Sequence, residues 1–268
     1  MRPKHSLGQH FLIDKSVLAS EAALAEITGK RILEIGPGEG ALTGYILEKK
    51  PSYFLAIEKD KDLIPALREK FTPHSKSKLA KEITVEFLEG DFLEYFPKKG
   101  EKFDVIFGNI PYYISSPILF RLKDFEFERA ILCLQKEFAE RLVAKAGGKE
   151  YSRLSVMSSI YFETALKQIV YRGSFYPPPE VDSAIVVLKK TGGQIDPFAE
   201  QLITALFSHK RKSVRNAFTD SAKQFGMKKP DARSLIETVK NSGKRVVTLS
   251  ADELLAIAAE VKKLMPKQ

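Results

Sequence analysis

The amino-acid sequence predicts an α/β fold, in which a doubly wound, mostly parallel sheet is followed by a small all-helical domain. First, short apolar runs alternate with longer amphipathic segments between residues 31 and 145, a rhythm typical of βα units. Second, "TGGQIDP" has the composition of a linker, and every later segment has helical spacing. Third, 268 residues suit one large domain and one small one. We therefore predict domains over residues 1–191 and 192–268.

Five apolar runs supply the parallel strands of the predicted sheet. In chain order they are "RILEIG", "YFLAIEKD", "ITVEFLEGD", "FDVIFGN" and "ERAILCLQ". Helices are predicted for "ALTGYILEKK", "DLIPALREKF" and "KEFAERLVAK". Two later runs, "RLSVMSSIYF" and "DSAIVVLKK", are also predicted to be strands, and the second is expected to be antiparallel or to lie at an edge.

The C-terminal segment is predicted to be helical and basic. Helical spacing extends over "PFAEQLITALFSHKRKSVRNAF", "PDARSLIETV" and "SADELLAIAAEVKKL", and Ser250 with Glu253 forms a capping box at the start of the last helix. Residues 192–268 hold 14 Lys and Arg against 8 Asp and Glu, a net charge of +6 out of +9 for the whole chain. A cationic domain of this kind is expected to contact a polyanion.

The remaining composition excludes several classes of protein. Cys133 is the single cysteine, so no intrachain disulfide can form and a buried, inert thiol is expected. The four histidines lack the spacing of metal ligands, so no metal is predicted. No apolar run approaches the roughly 20 residues of a membrane span, and the N-terminus lacks the apolar stretch of a signal peptide. We therefore expect a cytoplasmic monomer with no membrane partner.

Polar groups at the predicted strand ends indicate a nucleoside-type cofactor. Gly36 and Gly38 occupy the first strand-to-helix turn, where glycine permits positive φ and close approach of a ligand. Glu58 ends the second strand about 20 residues later, where a carboxylate suits a ribose diol. These features leave a dinucleotide and S-adenosylmethionine both open. Asp91 after the third strand suits the amine of an adenine, and together with Asn109 it favours S-adenosylmethionine.

The stretch "FGNIPYYISSP" indicates methyl transfer to a planar amine. The side-chain carbonyl of Asn109 and the backbone carbonyl of Ile110 can accept both N–H bonds of an adenine amine and direct its lone pair toward a methyl donor. Pro111 fixes the backbone between them, and Tyr112 offers a face on which a flipped base can stack. Phe175, next to a triple proline, is expected to hold the other face of the base. Positioning and electrostatics then carry the rate without a general base.

Taken together, these motifs resemble the KsgA family of small-subunit rRNA adenine N6,N6-dimethyltransferases. The matching segments are "LGQHFL", "LEIGPGEGALT", "IEKD", "GDFLEY", "GNIPYYISSP", "LQKEFAERLVA", "YSRLSVM" and "FYPPPEVDSAIV". The resemblance implies a Rossmann-like methyltransferase sheet and dimethylation of two neighbouring adenosines near the 3′ end of small-subunit rRNA. It also implies that the S-adenosylmethionine site is lined by His10, Leu12, Gly36, Glu58, Asp91 and Asn109. By the same resemblance the target adenine is held by Asn109, Tyr112 and Phe175.

The sequence departs from the family pattern at two positions. His10 stands where the family usually has asparagine. "NIPY" replaces the commoner "NLPY", and this isoleucine is frequent in the related large-subunit resistance methyltransferases. The triple proline and "VDSA" favour the small-subunit branch.

Two basic segments are predicted to bind RNA within a partly assembled small subunit. "SHKRKSVR" is interpreted as about two turns of a basic helix, and "AKAGGKEYSR" as a loop with paired glycines. The predicted RNA contacts are Lys145, Lys149, Arg153, Lys210, Arg211, Lys212 and Arg215. Residues 1–14 are predicted to form a mobile lid over bound cofactor.

Two other functions remain open at this point. The first is a large-subunit rRNA adenine methyltransferase of the antibiotic-resistance type. The second is a non-catalytic assembly or transcription factor on the same fold, in which the grip on nucleic acid matters and chemistry has lapsed. The intact "NIPY" and the acidic pair Glu58 and Asp91 favour retained chemistry.

Overall fold

The computed structural model describes residue 4 and the ranges 8–71 and 83–265. Its strands are β1 (Phe11–Leu12), β2 (Arg31–Ile35), β3 (Tyr53–Glu58), β4 (Thr84–Glu89), β5 (Val105–Asn109), β6 (Arg129–Gln135), β7 (Phe162–Val170), β8 (Phe175–Tyr176) and β9 (Ser183–Lys190). Its α-helices are α1 (Lys15–Ala22), α2 (Ala41–Glu48), α3 (Ile64–Phe71), α4 (Ser115–Arg121), α5 (Lys136–Val143), α6 (Arg153–Tyr161), α7 (Pro197–Phe207), α8 (Val214–Asp220), α9 (Lys229–Glu237) and α10 (Ala251–Leu264).

Seven strands form one sheet in the order β4-β3-β2-β5-β6-β9-β7. The pairs from β4 to β6 are parallel, and β9 runs antiparallel to β6. This confirms the predicted doubly wound sheet with a late antiparallel strand. Of the two alternatives predicted for β9, the antiparallel partner is confirmed and the edge position is not, because β7 pairs with its other side. The burial of Ser183–Leu188 on both faces explains why this strand reads as a continuous apolar run.

"RLSVMSSIYF" is not a strand, which corrects the sequence-based prediction. Residues Arg153–Tyr161 form α6, and the strand β7 begins only at Phe162. The backbone N–H of Ser152 donates to the Ser155 hydroxyl at 3.1 Å, which closes a capping interaction at the start of the helix. The helix is buried on most of its surface, so it lacks the apolar–polar periodicity that identifies a surface helix.

The N-terminal segment enters a second, two-stranded sheet. β1 pairs antiparallel with β8, with Phe11 opposite Tyr176 and Leu12 opposite Phe175. Part of the predicted lid is therefore a paired strand that continues into α1, whose start is capped by the Asp14 side chain. Residues 1–3 and 5–7 of the predicted lid lie outside the described residues, and its mobility stays a prediction.

The chain divides into two compact units. The first unit comprises residues 1–139 and 164–190, and the second comprises residues 140–163 and 191–268. Residues 140–163 thus group with the C-terminal helices, although the sequence placed them in the first domain. The physical reason is Tyr151, which is 4% exposed and donates its hydroxyl to the Leu249 carbonyl at 2.8 Å. The functional division at residue 191 stays a prediction.

The described ranges contain no helix long and apolar enough to cross a bilayer. Cys133 is a free, buried cysteine, as predicted. Burial raises the pKa of its thiol well above the usual value, which makes a thiolate unfavourable at neutral pH.

Candidate active site

A cavity of about 160 Å³ lies in the first unit at the carboxyl ends of β2 to β5. Ligands of open α/β sheets bind at this edge. Every residue predicted to contact cofactor or target base lines the cavity. They are His10, Leu12, Gly36, Gly38, Glu58, Asp91, Asn109, Ile110, Pro111, Tyr112 and Phe175. The structure therefore brings together residues from six separate segments of the chain, while the role of each one stays a prediction.

The glycine loop, residues 36–40, connects β2 to α2 and forms one wall of the cavity. Gly36 and Gly38 both have positive φ, +65° and +58°, which favours glycine at these positions. A Cβ atom added to Gly36 would meet no described atom within 4 Å, so the space beside it is open. A Cβ atom added to Gly38 would lie 2.9 Å from the ring of Phe11. Sequence reasoning missed Phe11, although it lies inside the motif "LGQHFL".

Glu58 lies at the end of β3 and is 6% exposed. Its Oε2 accepts the N–H of Gly38 at 3.0 Å, and its Oε1 accepts the N–H of Asp60 at 2.8 Å. Burial raises the pKa of Glu58, and these backbone hydrogen bonds oppose the rise. Each carboxylate oxygen retains acceptor capacity for a further donor. The side chain is therefore fixed in place and can still accept hydrogen bonds from a diol.

Asp91 follows β4 and caps the short 3-10 helix Phe92–Glu94. Its Oδ1 accepts the N–H of Leu93 at 2.9 Å, and its Oδ2 accepts from Nζ of Lys59 at 2.8 Å. Burial acts to raise the pKa of Asp91, but these hydrogen bonds hold it below the usual value. The carboxylate is thus ionised and accepts hydrogen bonds only. Lys59, which also lines the cavity, was not identified from the sequence.

Asn109 ends β5 with a buried acceptor that has no partner among the described residues. Its Oδ1 receives no hydrogen bond from any residue in the described part of the chain. The next residue, Ile110, donates its N–H to the Cys133 carbonyl at 3.0 Å, which holds the backbone against β6. An unsatisfied buried acceptor costs about 1–3 kcal/mol. A ligand N–H entering the cavity would remove this cost.

Tyr112 is held at both its hydroxyl and its ring. The hydroxyl lies 2.8 Å from the Ser183 hydroxyl, and burial raises the pKa of Tyr112 while this hydrogen bond lowers it. The ring stacks on that of His10, with 6.3 Å between centroids and 23° between planes. Phe175, from β8, is 6% exposed and also lines the cavity. Two fixed aromatic rings therefore contribute to one cavity.

The imidazole of His10 bonds to the loop after β8. Its Nδ1 lies 2.8 Å from the carbonyl oxygen of Pro177. A carbonyl only accepts hydrogen bonds, so Nδ1 carries the hydrogen. The described contacts of His10 are with Pro177 and Tyr112. The predicted contact of His10 with cofactor stays a prediction.

The basic run of the second unit is a turn and not a helix, which corrects the sequence-based prediction. Lys210, Arg211 and Lys212 lie between α7 and α8, in the segment 208–213 that we call the basic turn. Of the four basic residues of this segment only Arg215 is in α8, which begins after the Ser213 cap. The backbone of the turn is instead paired with a distant segment. The N–H groups of Val246 and Val247 donate to the backbone carbonyls of Lys212 and Lys210, respectively.

The second unit brings its two predicted RNA-binding segments together. Nζ of Lys210 donates to the Tyr151 carbonyl at 3.2 Å, which links the basic turn to the loop 144–152. Lys149 in that loop is 96% exposed. Lys212 pairs with Asp220 at 2.7 Å. The basic turn and the loop thus carry cations on one unit, and their contact with RNA stays a prediction.

Comparisons with known proteins find similar sequences over nearly the whole chain. The family model for ribosomal RNA adenine dimethylase matches residues 1–263. The Thermococcus sibiricus protein named "Probable ribosomal RNA small subunit methyltransferase A" is 41% identical over 260 residues, covering 95% of this chain and 90% of the relative. The Geobacter sulfurreducens "Ribosomal RNA small subunit methyltransferase A" is 36% identical over 272 residues, covering 96% and 94%.

Two solved structures extend the similarity to three dimensions. A dimethyladenosine transferase from Plasmodium falciparum superposes with a TM-score of 0.79 at 29% identity, covering 95% of this chain and 98% of that one. The 23S rRNA methyltransferase ErmE superposes with a TM-score of 0.68 at 27% identity, covering 94% and 99%. The family match spans both units and includes every residue that lines the cavity, so this chain belongs to the ribosomal RNA adenine dimethylase family.

Proposed function

We propose that the protein uses S-adenosylmethionine to dimethylate the exocyclic amines of two adjacent adenosines near the 3′ end of small-subunit rRNA. The proposed substrate is the RNA within a partly assembled small subunit in the cytoplasm, and the proposed enzyme is a monomer. The names of the Thermococcus and Geobacter relatives support the small subunit as substrate. The observation that carries the reaction type is the buried Oδ1 of Asn109 at the end of β5, which has no partner in the part of the chain that the structure describes.

The cavity has donors and acceptors that suit the proposed cofactor. Glu58 can accept from the ribose hydroxyls, Asp91 can accept from the adenine amine, and the open space at Gly36 admits the ligand next to the backbone. When bound, S-adenosylmethionine supplies an electrophilic methyl group on a sulfonium. The ionised Asp91 and the hydrogen-bonded Glu58 also favour a cationic ligand over one with a pyrophosphate.

The residues of this chain then orient the target amine. Oδ1 of Asn109 accepts one N–H of the adenine, which gives the buried oxygen its missing partner. The backbone carbonyl of Ile110 is the proposed second acceptor. Tyr112, whose hydroxyl is held by Ser183, stacks on the base, and such a stack contributes about 1–3 kcal/mol. No side chain is assigned as a general base, since the nitrogen loses its proton after the methyl group has been transferred.

A large-subunit activity is the second candidate. It is favoured by the similarity to the 23S rRNA methyltransferase ErmE and by the isoleucine of "NIPY". The names of the curated relatives favour the small subunit.

One experiment separates these candidates. Purified protein is incubated with labelled S-adenosylmethionine and unmodified small subunits, and in a separate reaction with labelled S-adenosylmethionine and unmodified large subunits. Modified adenosines are then mapped by mass spectrometry. We expect two adjacent dimethyladenosines in the small-subunit RNA. Label confined to large-subunit RNA would establish the second candidate. Binding of subunits without any transfer of label would establish the non-catalytic alternative.

A further inference from the structure

We propose that Tyr113, at the mouth of the cavity, stacks on the nucleobase next to the target adenosine in the same RNA strand. The inference rests on the proposed function and extends it by a second base-binding site. Tyr112 and Tyr113 are adjacent in the 3-10 helix Tyr112–Ile114 and both line the cavity. Their environments differ, and that difference carries the proposal.

Tyr113 presents its ring to solvent, whereas the neighbouring Tyr112 is held by the Ser183 hydroxyl and the His10 ring. The side chain of Tyr113 is 59% exposed, and its hydroxyl makes no hydrogen bond within the described ranges. One edge of its ring rests on Gly8, where an added Cβ atom would lie 3.0 Å from Cε1. The backbone beneath it is held by the hydrogen bond from the Ile114 N–H to the Pro111 carbonyl at 3.1 Å. The ring is therefore supported at one edge and open on the solvent side.

A second exposed apolar side chain lines the same cavity. Ile13 is 55% exposed, and its N–H donates to the Ser174 carbonyl at 2.9 Å. Together Tyr113 and Ile13 form what we call the rim. Single exposed apolar residues are common, but both residues of the rim line one ligand cavity, so each offers apolar surface to a ligand that enters it.

The charge beside the rim favours a nucleotide over an apolar peptide. Lys59 lines the same cavity with 57% of its side chain exposed, and its ammonium group, which has three donors, gives one of them to Asp91 at 2.8 Å. A phosphodiester attached to a base on Tyr113 would find this cation nearby. Aromatic faces with adjacent cations are the usual means of holding single-stranded RNA. Because the proposed target is one of two adjacent adenosines, a neighbouring base is always present when the target enters the cavity.

The test compares tyrosine variants on two RNA substrates. The variants are Tyr113→Ala, Tyr113→Phe and the matched control Tyr171→Ala, since Tyr171 is 70% exposed and does not line the cavity. The substrates are unmodified small subunits with the natural sequence, and small subunits with an abasic site beside the target, prepared by ligating a synthetic 3′ segment. KM and kcat for labelled methyl transfer are measured, together with the dissociation constant for S-adenosylmethionine.

On natural subunits we expect Tyr113→Ala to raise KM about 5-fold or more, which corresponds to the loss of one stacked base. Tyr113→Phe and Tyr171→Ala should stay within about twofold of the starting protein, and cofactor affinity should not change. On the abasic substrate the starting protein and Tyr113→Ala should have equal KM, because the stacking partner is gone.

Three results would overturn the inference. They are a KM for Tyr113→Ala no different from that of Tyr171→Ala, an equal penalty on natural and abasic substrates, and a loss in Tyr113→Phe as large as in Tyr113→Ala. Failure of the starting protein to methylate small subunits at all would instead contradict the proposed function. The two failures are therefore distinguishable.

Discussion

The polar groups of the cavity in the first unit and of the basic turn in the second unit differ in burial and in whether they have partners. In the cavity, Oδ1 of Asn109 is buried and without a partner in the described structure. In the basic turn, Lys212 pairs with Asp220 at 2.7 Å and Lys210 bonds to the Tyr151 carbonyl. A buried unpaired acceptor costs about 1–3 kcal/mol, whereas an exposed ion pair contributes only about 0–1 kcal/mol.

This difference indicates two kinds of recognition. A ligand with a donor at the Asn109 oxygen would stabilise the cavity, so we expect the cavity to select for geometry. The cations of the second unit can exchange a carboxylate for a phosphate at little cost, so they select for charge. The first should be sensitive to a single atom, and the second to the number of charges and to salt.

Of the variants that test this comparison, Asn109→Ala should have the largest effect on activity. Removing the only proposed side-chain acceptor for the target amine should lower kcat by at least about 100-fold, comparable to the loss of one preorganised polar group in other enzymes. S-adenosylmethionine binding should remain measurable by calorimetry, because Glu58 and Asp91 are unchanged. Ser183→Ala, which removes a different polar group from the same cavity, is the control and should cost much less. Turnover of Asn109→Ala within a few-fold of the starting protein would refute the amine-orienting role.

The affinity of the second unit for small subunits should depend on the number of its cations instead. Changing Lys210, Arg211 and Arg215 together to alanine should weaken binding of small subunits about 10-fold or more at low salt. The plot of log affinity against log salt should become shallower by about 0.7–0.9 for each lost phosphate contact. The control is the triple change of Lys223, Lys262 and Lys263, which removes the same charge elsewhere in the second unit. A slope equal in both triple variants would place the RNA site elsewhere.

The sequence predicts the cavity well for a geometric reason. Strand ends can be read from apolar runs, and parallel strands bring their carboxyl ends to one edge, so Glu58, Asp91 and Asn109 had to meet. Phe11 and Lys59 were missed, because nothing in their spacing shows that β1 pairs with β8 or that Lys59 turns toward Asp91. Those contacts depend on long-range pairing that a local pattern does not contain.

The second unit is less predictable because its helices end for tertiary reasons. The spacing of "PFAEQLITALFSHKRKSVRNAF" suits one helix, yet the chain turns at residues 208–213, where its backbone bonds to Val246 and Val247. Likewise, α6 carries "RLSVMSSIY" as a helix buried on most sides, and its β-branched residues mimic a strand. In both cases packing partners from distant segments override local preference.

Stability against pH should also differ between the two units. Glu21 of α1 is fully buried, and its two carboxyl oxygens have no partner among the described residues. Burial and the nearby Glu34 raise the pKa of Glu21 to about 8, and burial likewise raises that of Glu34 to about 8. In the second unit, Glu253 has a lowered pKa, because it accepts from the Ser250 N–H and from Lys244.

The direction in which stability changes with pH follows from whether the folded or the unfolded protein binds the proton more tightly. A raised carboxyl pKa stabilises the folded protein below about pH 4.5, and this contribution is lost as pH rises toward about 8, at about 1.4 kcal/mol per pH unit per group. Glu21→Gln should therefore flatten the fall in the free energy of unfolding between pH 5 and 8, measured by urea denaturation. Glu253→Gln should leave the slope of the free energy of unfolding between pH 5 and 8 unchanged. It should remove a stabilising contribution that the starting protein loses only toward acid pH. An unaltered slope in Glu21→Gln would show that Glu21 is ionised in the folded protein.

The smallest expected effect tests how the cavity holds its aromatic wall. His10 donates from Nδ1 to the Pro177 carbonyl and stacks on Tyr112, so His10→Ala should let the Tyr112 ring move without removing its hydroxyl bond to Ser183. We expect KM for small subunits to rise a few-fold, on the order of one weakened aromatic contact, with little change in cofactor affinity. His10→Asn, the residue usual in the family, is the matched control, since it keeps a donor but not the ring. If His10→Ala loses cofactor affinity, His10→Asn retains it and both variants keep the KM for subunits, His10 belongs to the cofactor site as the family resemblance implies and does not support the Tyr112 ring.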